Sequence, residues 1–323
     1  MKKNTLLTAL ACAVTMANIS VAEQNGSGHY MSGQQADLSS MNPTAPGWIF
    51  ANYFLAYQNG DLSGKVSFGR NDVNGHITAN LFAEVPAVIY AYPFNFLGGT
   101  LSSGAFIPYV SLEVKASGTI THYDHLGNPT SLSRSTRDTT SGLGDIEFAP
   151  IMAGWTNGDF HFGAAFNFWA PTGEYDKEDL ANAGLGYWTF EPMLTLGWLS
   201  SKIGTEVSLV AALDFNTENT EADYQSGNIF HLDGTVAQHL PLFGGFAGVG
   251  ATAFYLKQFT GDSGSGNRIG NFMAESYGVG PTISYVHKVG KSTLVVDASF
   301  LPQLHTQNTT GGNFIWAKLA WVF

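Results

Sequence analysis

The chain is poor in thiols, in charge and in long apolar runs. One cysteine, Cys12, stands among 323 residues, and charged side chains make up only 12%. So little charge argues against a disordered chain or a coiled coil, both of which need many charged residues. Lys and Arg number 14 against 25 Asp and Glu, a net charge of −11. Nucleic acid is excluded as a partner, because phosphate binding needs clustered cations. No segment after residue 22 offers the roughly 18 consecutive apolar residues of a membrane-crossing helix.

Residues 1–22 have the layout of an export signal: Lys2 and Lys3, an apolar run from Leu6 to Met16, and the small-x-small site Ser20-Val21-Ala22. Processing as a lipoprotein at Cys12 fits poorly, since Ala9 occupies the place of a Leu and the apolar run continues past the cysteine. Cleavage after Ala22 removes the only thiol, and with it disulfides, thiolate metal sites and cysteine nucleophiles. For an exported chain without a membrane-crossing helix, a closed barrel is the only membrane-spanning option.

What the chain does have is glycine, 38 residues, and aromatics, 13%. From Trp48 onward, stretches of alternating apolar and mixed positions are separated by Gly-, Asn-, Asp- and Ser-rich connections. The alternating stretches are Trp48–Gln58, His76–Tyr92, Thr100–Tyr123, Asp145–Trp155, Phe160–Ala170, Tyr187–Leu199, Ile203–Asn216, Asn228–Leu240, Phe246–Thr260, Phe272–His287, Thr293–Pro302 and Phe314–Phe323. They predict an all-β chain of about twelve antiparallel strands. Connections of about 11–21 residues alternate with short ones of about 3–7, the pattern of an outer-membrane barrel with short periplasmic turns and longer external loops. An even strand number puts both termini on the periplasmic side.

The phase of single strands agrees. Phe160, Phe162, Ala164, Phe166 and Phe168 share one face, while His161, Gly163, Asn167 and Trp169 share the other. Phenylalanines turned to water would cost about 2 kcal/mol each, whereas in a bilayer they cost nothing. The end of the chain alternates likewise: Ile315, Leu319, Trp321 and the terminal Phe323 share a face. An aromatic terminal residue on such a strand resembles the assembly signal of outer-membrane barrels, here Leu319, Trp321 and Phe323. Trp48, Trp155, Trp169, Trp188 and Trp198 lie near strand ends, where interfacial girdles form.

Catalytic and metal motifs are few. Gly261-Asp262-Ser263-Gly264 is like the nucleophile segment of a serine protease, but the accompanying His and Asp are not offered in order. No His is followed two residues later by Ser, as a barrel phospholipase would need. Glu174, Asp176, Glu178 and Asp179 read as solvated loop charges, as does the acidic segment from Asp214 to Asp223. HExxH, His-x-His, EF-hand and phosphate-cradling motifs are missing, so neither a resident metal nor another cofactor is expected, and any flux must be passive.

Strand phase predicts a lumen lined by Glu84, Glu113, Lys115, Glu147, His161, Asn167, Trp169, Glu191, Glu206, Asp214, His231, Asp233 and Lys318, with Glu275 and Asp297. Two readings stay open: an acidic conduit, or a filled interior whose charges pair with one another. Residues 23–46, broken by Gly-Ser-Gly, Asn-Pro and Ala-Pro, cannot be a barrel strand. They are either a plug in the lumen or a periplasmic leader; residues 47–323 form the barrel.

Several turn motifs in order carry a family resemblance. They are Gly28-His29-Tyr30 with Gly33, Pro46-Gly47, Leu97-Gly98-Gly99 before Ile107-Pro108-Tyr109, and Gly142-Leu143-Gly144-Asp145 with Pro150. Ala170-Pro171-Thr172-Gly173 with Tyr175, Phe215-Asn216 before Tyr224-Gln225-Ser226-Gly227, Gln258 with Gly261-Asp262, and Gly278-Val279-Gly280-Pro281 complete them. The chain resembles the outer-membrane proteins of the meta-pathway phenol-degradation family across nearly its whole exported length. The resemblance implies an outer-membrane channel or transporter for small hydrophobic or aromatic compounds, and brings no catalytic residues. A structural or adhesive barrel with a sealed lumen is the alternative. Expected partners are outer-membrane lipid and lipopolysaccharide, the barrel assembly machinery and a small hydrophobic solute.

Overall fold

The computed structural model describes residues 28–35, 42–267 and 273–323; the export segment lies outside them. Fourteen strands form one antiparallel sheet: β1 (Gly47–Phe68), β2 (Asn71–Phe96), β3 (Gly99–Phe106), β4 (Tyr109–Tyr123), β5 (Pro129–Leu143), β6 (Ile146–Asn157), β7 (Phe160–Ala170), β8 (Thr189–Leu199), β9 (Thr205–Asn216), β10 (Ile229–Leu242), β11 (Gly245–Gln258), β12 (Glu275–Val289), β13 (Ser292–Gln307) and β14 (Gly311–Val322). β1 pairs with β14 on one side and with β2 on the other, which closes the sheet into a barrel.

The barrel has twelve strand positions, because β3 and β4 are one long strand interrupted at Ile107-Pro108, and β5 and β6 are another interrupted at Gly144-Asp145. β2 bridges both halves: Ala87–Phe96 pair with β3, and Asn71–Glu84 pair with β4. Pro86 and Pro108 sit at the break, where a proline has no N–H to give the ladder. The twelve predicted segments thus match the barrel, Thr100–Tyr123 being β3 and β4 together.

The long connections differ from expectation. Among the described residues, long loops are found over 171–188, 217–228 and the stretches 259–267 and 273–274, whereas β1 and β2 are joined by Gly69-Arg70, β4 and β5 by 124–128, and β13 and β14 by 308–310. The polar segments read as loops keep pairing as strands beyond the apolar belt. Thr119 and Thr121 meet the hydroxyls of Ser133 and Ser131 across the β4–β5 hairpin. Such pairs stabilise a ladder in water, so a Ser- and Thr-rich composition does not mark its end. The other end of the barrel, with the two-residue turns 97–98, 158–159, 243–244 and 290–291 and the short turn 200–204, agrees with prediction and also holds the start of β1 and the end of β14.

Outward faces carry an apolar belt that includes Phe82, Phe166, Leu194, Leu209, Val249, Ile283 and Leu319, all exposed. Phe50, Trp321 and Phe323 cluster on the same outer surface at the turn end, and the Phe323 N–H donates to the Trp48 carbonyl at 2.9 Å. Alternate positions point inward, and many are polar.

The belt ends where the β4–β5 hairpin leaves it. Leu194→Arg, on β8 at 66% exposure, places a cation against lipid, whereas Leu132→Arg, on β5 at 57%, faces water. Leu194→Arg is expected to lose about 2–4 kcal/mol and assemble poorly, and Leu132→Arg to assemble as the parent does, both read by heat-modifiable gel migration.

Candidate functional site: the occupied lumen

An inward-facing carboxylate needs partners inside the barrel, because burial without them is costly. Residues 28–35 supply many. His29 Nε2 lies 2.9 Å from Asp145 Oδ2, and its Nδ1 lies 2.7 Å from the Thr189 hydroxyl. The same ring stacks on Trp169 at 5.7 Å and meets the edge of Tyr187. The Tyr30 hydroxyl donates to Asp233, whose carboxylate also receives the backbone N–H groups of Gly33 and Gln35 at 3.3 Å. The Tyr30 ring stacks on His231 with centroids 3.6 Å apart, and Trp316 donates to the Ser32 carbonyl at 3.0 Å.

Small residues in both the segment and the wall let the two approach closely. Gly33 has φ +84°, and a Cβ there would come within 2.1 Å of Leu301 Cδ1. Near the turn end, Gly154 and Gly163 lack the side chains that would meet Pro43 and Asn42, and Asn42 donates to the Ala153 carbonyl at 3.0 Å. The described parts of the segment therefore contact the inner wall near the turn end at Asn42 and near the loop end at His29.

Asp145, at the break between β5 and β6, joins the segment to the loop over residues 171–188. Besides His29 it accepts the N–H groups of Gly173 at 2.9 Å and Leu185 at 2.6 Å. Asp138 accepts those of Leu180 and Ala181, and Ala181 packs with Val110, Leu112 and Val114 of β4. Burial pushes the Tyr175 hydroxyl of this loop above its ordinary range, and Glu221 adds to the shift. In the neighbouring loop, Asp262 accepts from Tyr224, from the Gly227 N–H and from Gln258. The Gly-Asp-Ser-Gly segment thus fastens two loops, with the Ser263 backbone paired to Gln225.

The residues predicted to line the lumen divide into two groups. Glu147, Asn167, Trp169, Glu191, Glu206, Asp214, His231, Asp233, Asp297 and Lys318 are buried on inner faces, and His161 is half-buried on the inner face of β7, 3.4 Å from the Thr156 hydroxyl. Glu206 binds His239 and Ser208. Lys318 lies over the Tyr53 ring and opposite Asp297 in register.

Glu113 and Lys115 point the other way. On β4 the inner face is Val110, Leu112, Val114 and Ala116, and Glu113 pairs with Lys115 and Arg137 on the outer face. The reason is that the apolar face of this hairpin covers the lumen contents while its outer face meets water, the reverse of the arrangement inside the belt. Glu84, bonded to Asn52 at 2.7 Å, and Glu275, bonded to Lys257, are outward as well.

Reading the sequence missed His29, Tyr30 and Asp145 as site residues. Two ring side chains in an otherwise small-residue leader were the available signal.

Asp145→Asn is expected to loosen the segment and the loop together, whereas Asp138→Asn loosens the loop alone. Losing a buried charge-assisted contact costs about 1–3 kcal/mol, so hydrogen exchange in residues 28–35 should rise about tenfold or more in the first variant and stay unchanged in the second.

The profile of a family described as "Putative MetA-pathway of phenol degradation" matches residues 56–319, the family to which the ordered turn motifs point. The structure of an outer membrane channel from Pseudomonas putida F1 superposes with a TM-score of 0.62 at 15% identity, covering 91% of this chain and 100% of that one. CdiB from Acinetobacter baumannii gives 0.35 at 9% identity, covering 87% and 61%, too low to carry an argument. No curated protein matches the chain. The fold is that of an outer-membrane barrel.

Proposed function

Because the chain belongs to the MetA-pathway phenol-degradation family, we propose that it is an outer-membrane channel for passive uptake of small hydrophobic or aromatic compounds, with residues 23–46 acting as a plug in the lumen. The turn end then faces the periplasm and the loop end the exterior. The observation that carries the reading is the way the interior is filled. A barrel of about eight strands is filled by side chains of its own wall; in this wider barrel a separate chain segment occupies space beside wall glycines and is held by polar and ring contacts. The described residues of the segment take no part in the ladder that closes the sheet, so the segment can leave without unmaking the barrel.

Trp169 and Tyr187, which His29 covers at the loop end, would be uncovered for an aromatic solute when the segment leaves. Burial there contributes about 25 cal/mol per Å², enough for micromolar to millimolar capture. Lipopolysaccharide would meet the projecting hairpins, where Lys65, Arg134 and Arg137 stand, and the assembly machinery would read Leu319, Trp321 and Phe323. Those same polar hairpins, β1–β2 and β4–β5, favour the second reading, an adhesive barrel with a sealed lumen.

Proteoliposomes carrying the refolded protein, with and without residues 23–46, distinguish the two. Uptake of a labelled monoaromatic above that of empty vesicles, rising when the segment is deleted, is the expected result. No flux through either folded form would overturn the channel reading in favour of the adhesive one.

A further inference from the structure

Three ionisable side chains from adjacent strands converge in the lumen beneath Tyr30: Glu191 of β8, Asp214 of β9 and His231 of β10. They are 0%, 1% and 0% exposed. His231 Nε2 lies 2.9 Å from Glu191 Oε2 and 3.5 Å from Asp214 Oδ1, and one donor atom from each lies within 4.8 Å of the others. Neither oxygen of Asp214 accepts a hydrogen bond. A buried carboxylate in that condition is costly. The imidazole does not remove the cost: its Nε2 faces Glu191 at hydrogen-bonding distance, and one imidazolium would balance only one of two carboxylates.

We propose that Glu191, Asp214 and His231 bind a divalent transition-metal ion of the zinc class. A tetrahedral ion with nitrogen and oxygen ligands at about 2.0–2.2 Å holds its ligand atoms about 3.3 Å apart. The separations of 2.9 and 3.5 Å from His231 Nε2 bracket that value, and with all three ligand atoms within 4.8 Å of one another side-chain adjustment lets the ion take the place of the Nε2 proton. One imidazole with two carboxylates suits zinc, cobalt or nickel and differs from the all-oxygen sets of calcium and magnesium. Asn167 supplies the outer support that such sites use, donating from Nδ2 to Glu191 Oε1 at 2.8 Å.

The site also bears on the segment in the lumen. Tyr30 stacks on the ring of the nitrogen ligand, and its hydroxyl reaches Asp233 two residues farther along the same strand. A metal-bound imidazole is fixed in orientation, so the ion holds in place the surface on which the segment rests. The predicted consequence is slower hydrogen exchange in residues 28–35 when the metal is bound.

The full chain, refolded in detergent and stripped with chelator, tests the proposal with zinc and cobalt ions as probes. One zinc equivalent per chain is expected to survive gel filtration, and cobalt should give the visible absorption of a tetrahedral site. Asp214→Asn and His231→Gln should each weaken binding about 100-fold or more. Glu206→Gln, which alters a different buried His–Glu pair, should leave it unchanged. Heat-modifiable migration establishes that each variant is folded; if His231→Gln fails to fold, Asp214→Asn carries the comparison. Folded parent protein that retains no zinc at about 100 µM, or an Asp214→Asn variant that binds as the parent does, would overturn the assignment.

Discussion

The ladder between β1 and β14 is the contact on which the rest of the molecule depends. In hydrocarbon every backbone N–H and C=O must find a partner within the protein, and an unpaired edge costs several kcal/mol per group. Pairing from Ile49 with Val322 to Gln58 with Asn313 removes both edges at once. At its turn end, Gly47 passes so close to the Phe323 carbonyl that a Cβ would lie 2.1 Å from it. Once the sheet is closed, side chains that alternate along each strand must divide between lipid and lumen, and the two faces obey different chemistry.

Outside, the requirement is only to be apolar. Inside, a small enclosed volume receives Asp145, Glu147, Glu191, Glu206, Asp214 and Asp233, all buried, with few cations. The segment over residues 28–35 meets part of this demand, at Asp145 through His29 and at Asp233 through Tyr30 and its own backbone donors. Asp145 extends the arrangement to the loop over residues 171–188, because one carboxylate accepts from both. Segment and loop are therefore linked through the Asp145 carboxylate as well as through the contact of His29 with Tyr187, and displacement of either removes part of the hydrogen bonding of that carboxylate.

Where the long strands break at Pro108 and Gly144-Asp145, beside Pro86 of the continuous β2, the meaning of the alternating pattern changes. Below the break an apolar residue faces lipid; above it, Val110, Leu112 and Val114 face inward and Glu113 and Lys115 face water. The period of two is unbroken through β4, yet the solvent on each side has changed. Phase alone places two residues on a common face and does not say which medium that face meets.

Strand number, antiparallel order and the family were legible in the sequence, since period-two alternation and Gly-rich turns are local properties of the chain. Phe166 and Asn167 needed only their neighbours to be assigned to opposite faces. The ladder beyond the belt was not legible, because Ser and Thr pair across strands in water as readily as they form loops. Nor was the meeting of Glu191, Asp214 and His231: their spacing matches no local motif, and they meet only because β8, β9 and β10 are paired in one register. The position of Tyr30 above them was likewise decided by tertiary structure, for a leader without periodicity does not say which strands its rings will meet. Alternation along a strand is fixed by backbone geometry, whereas contacts between strands depend on register and closure, which no single segment contains.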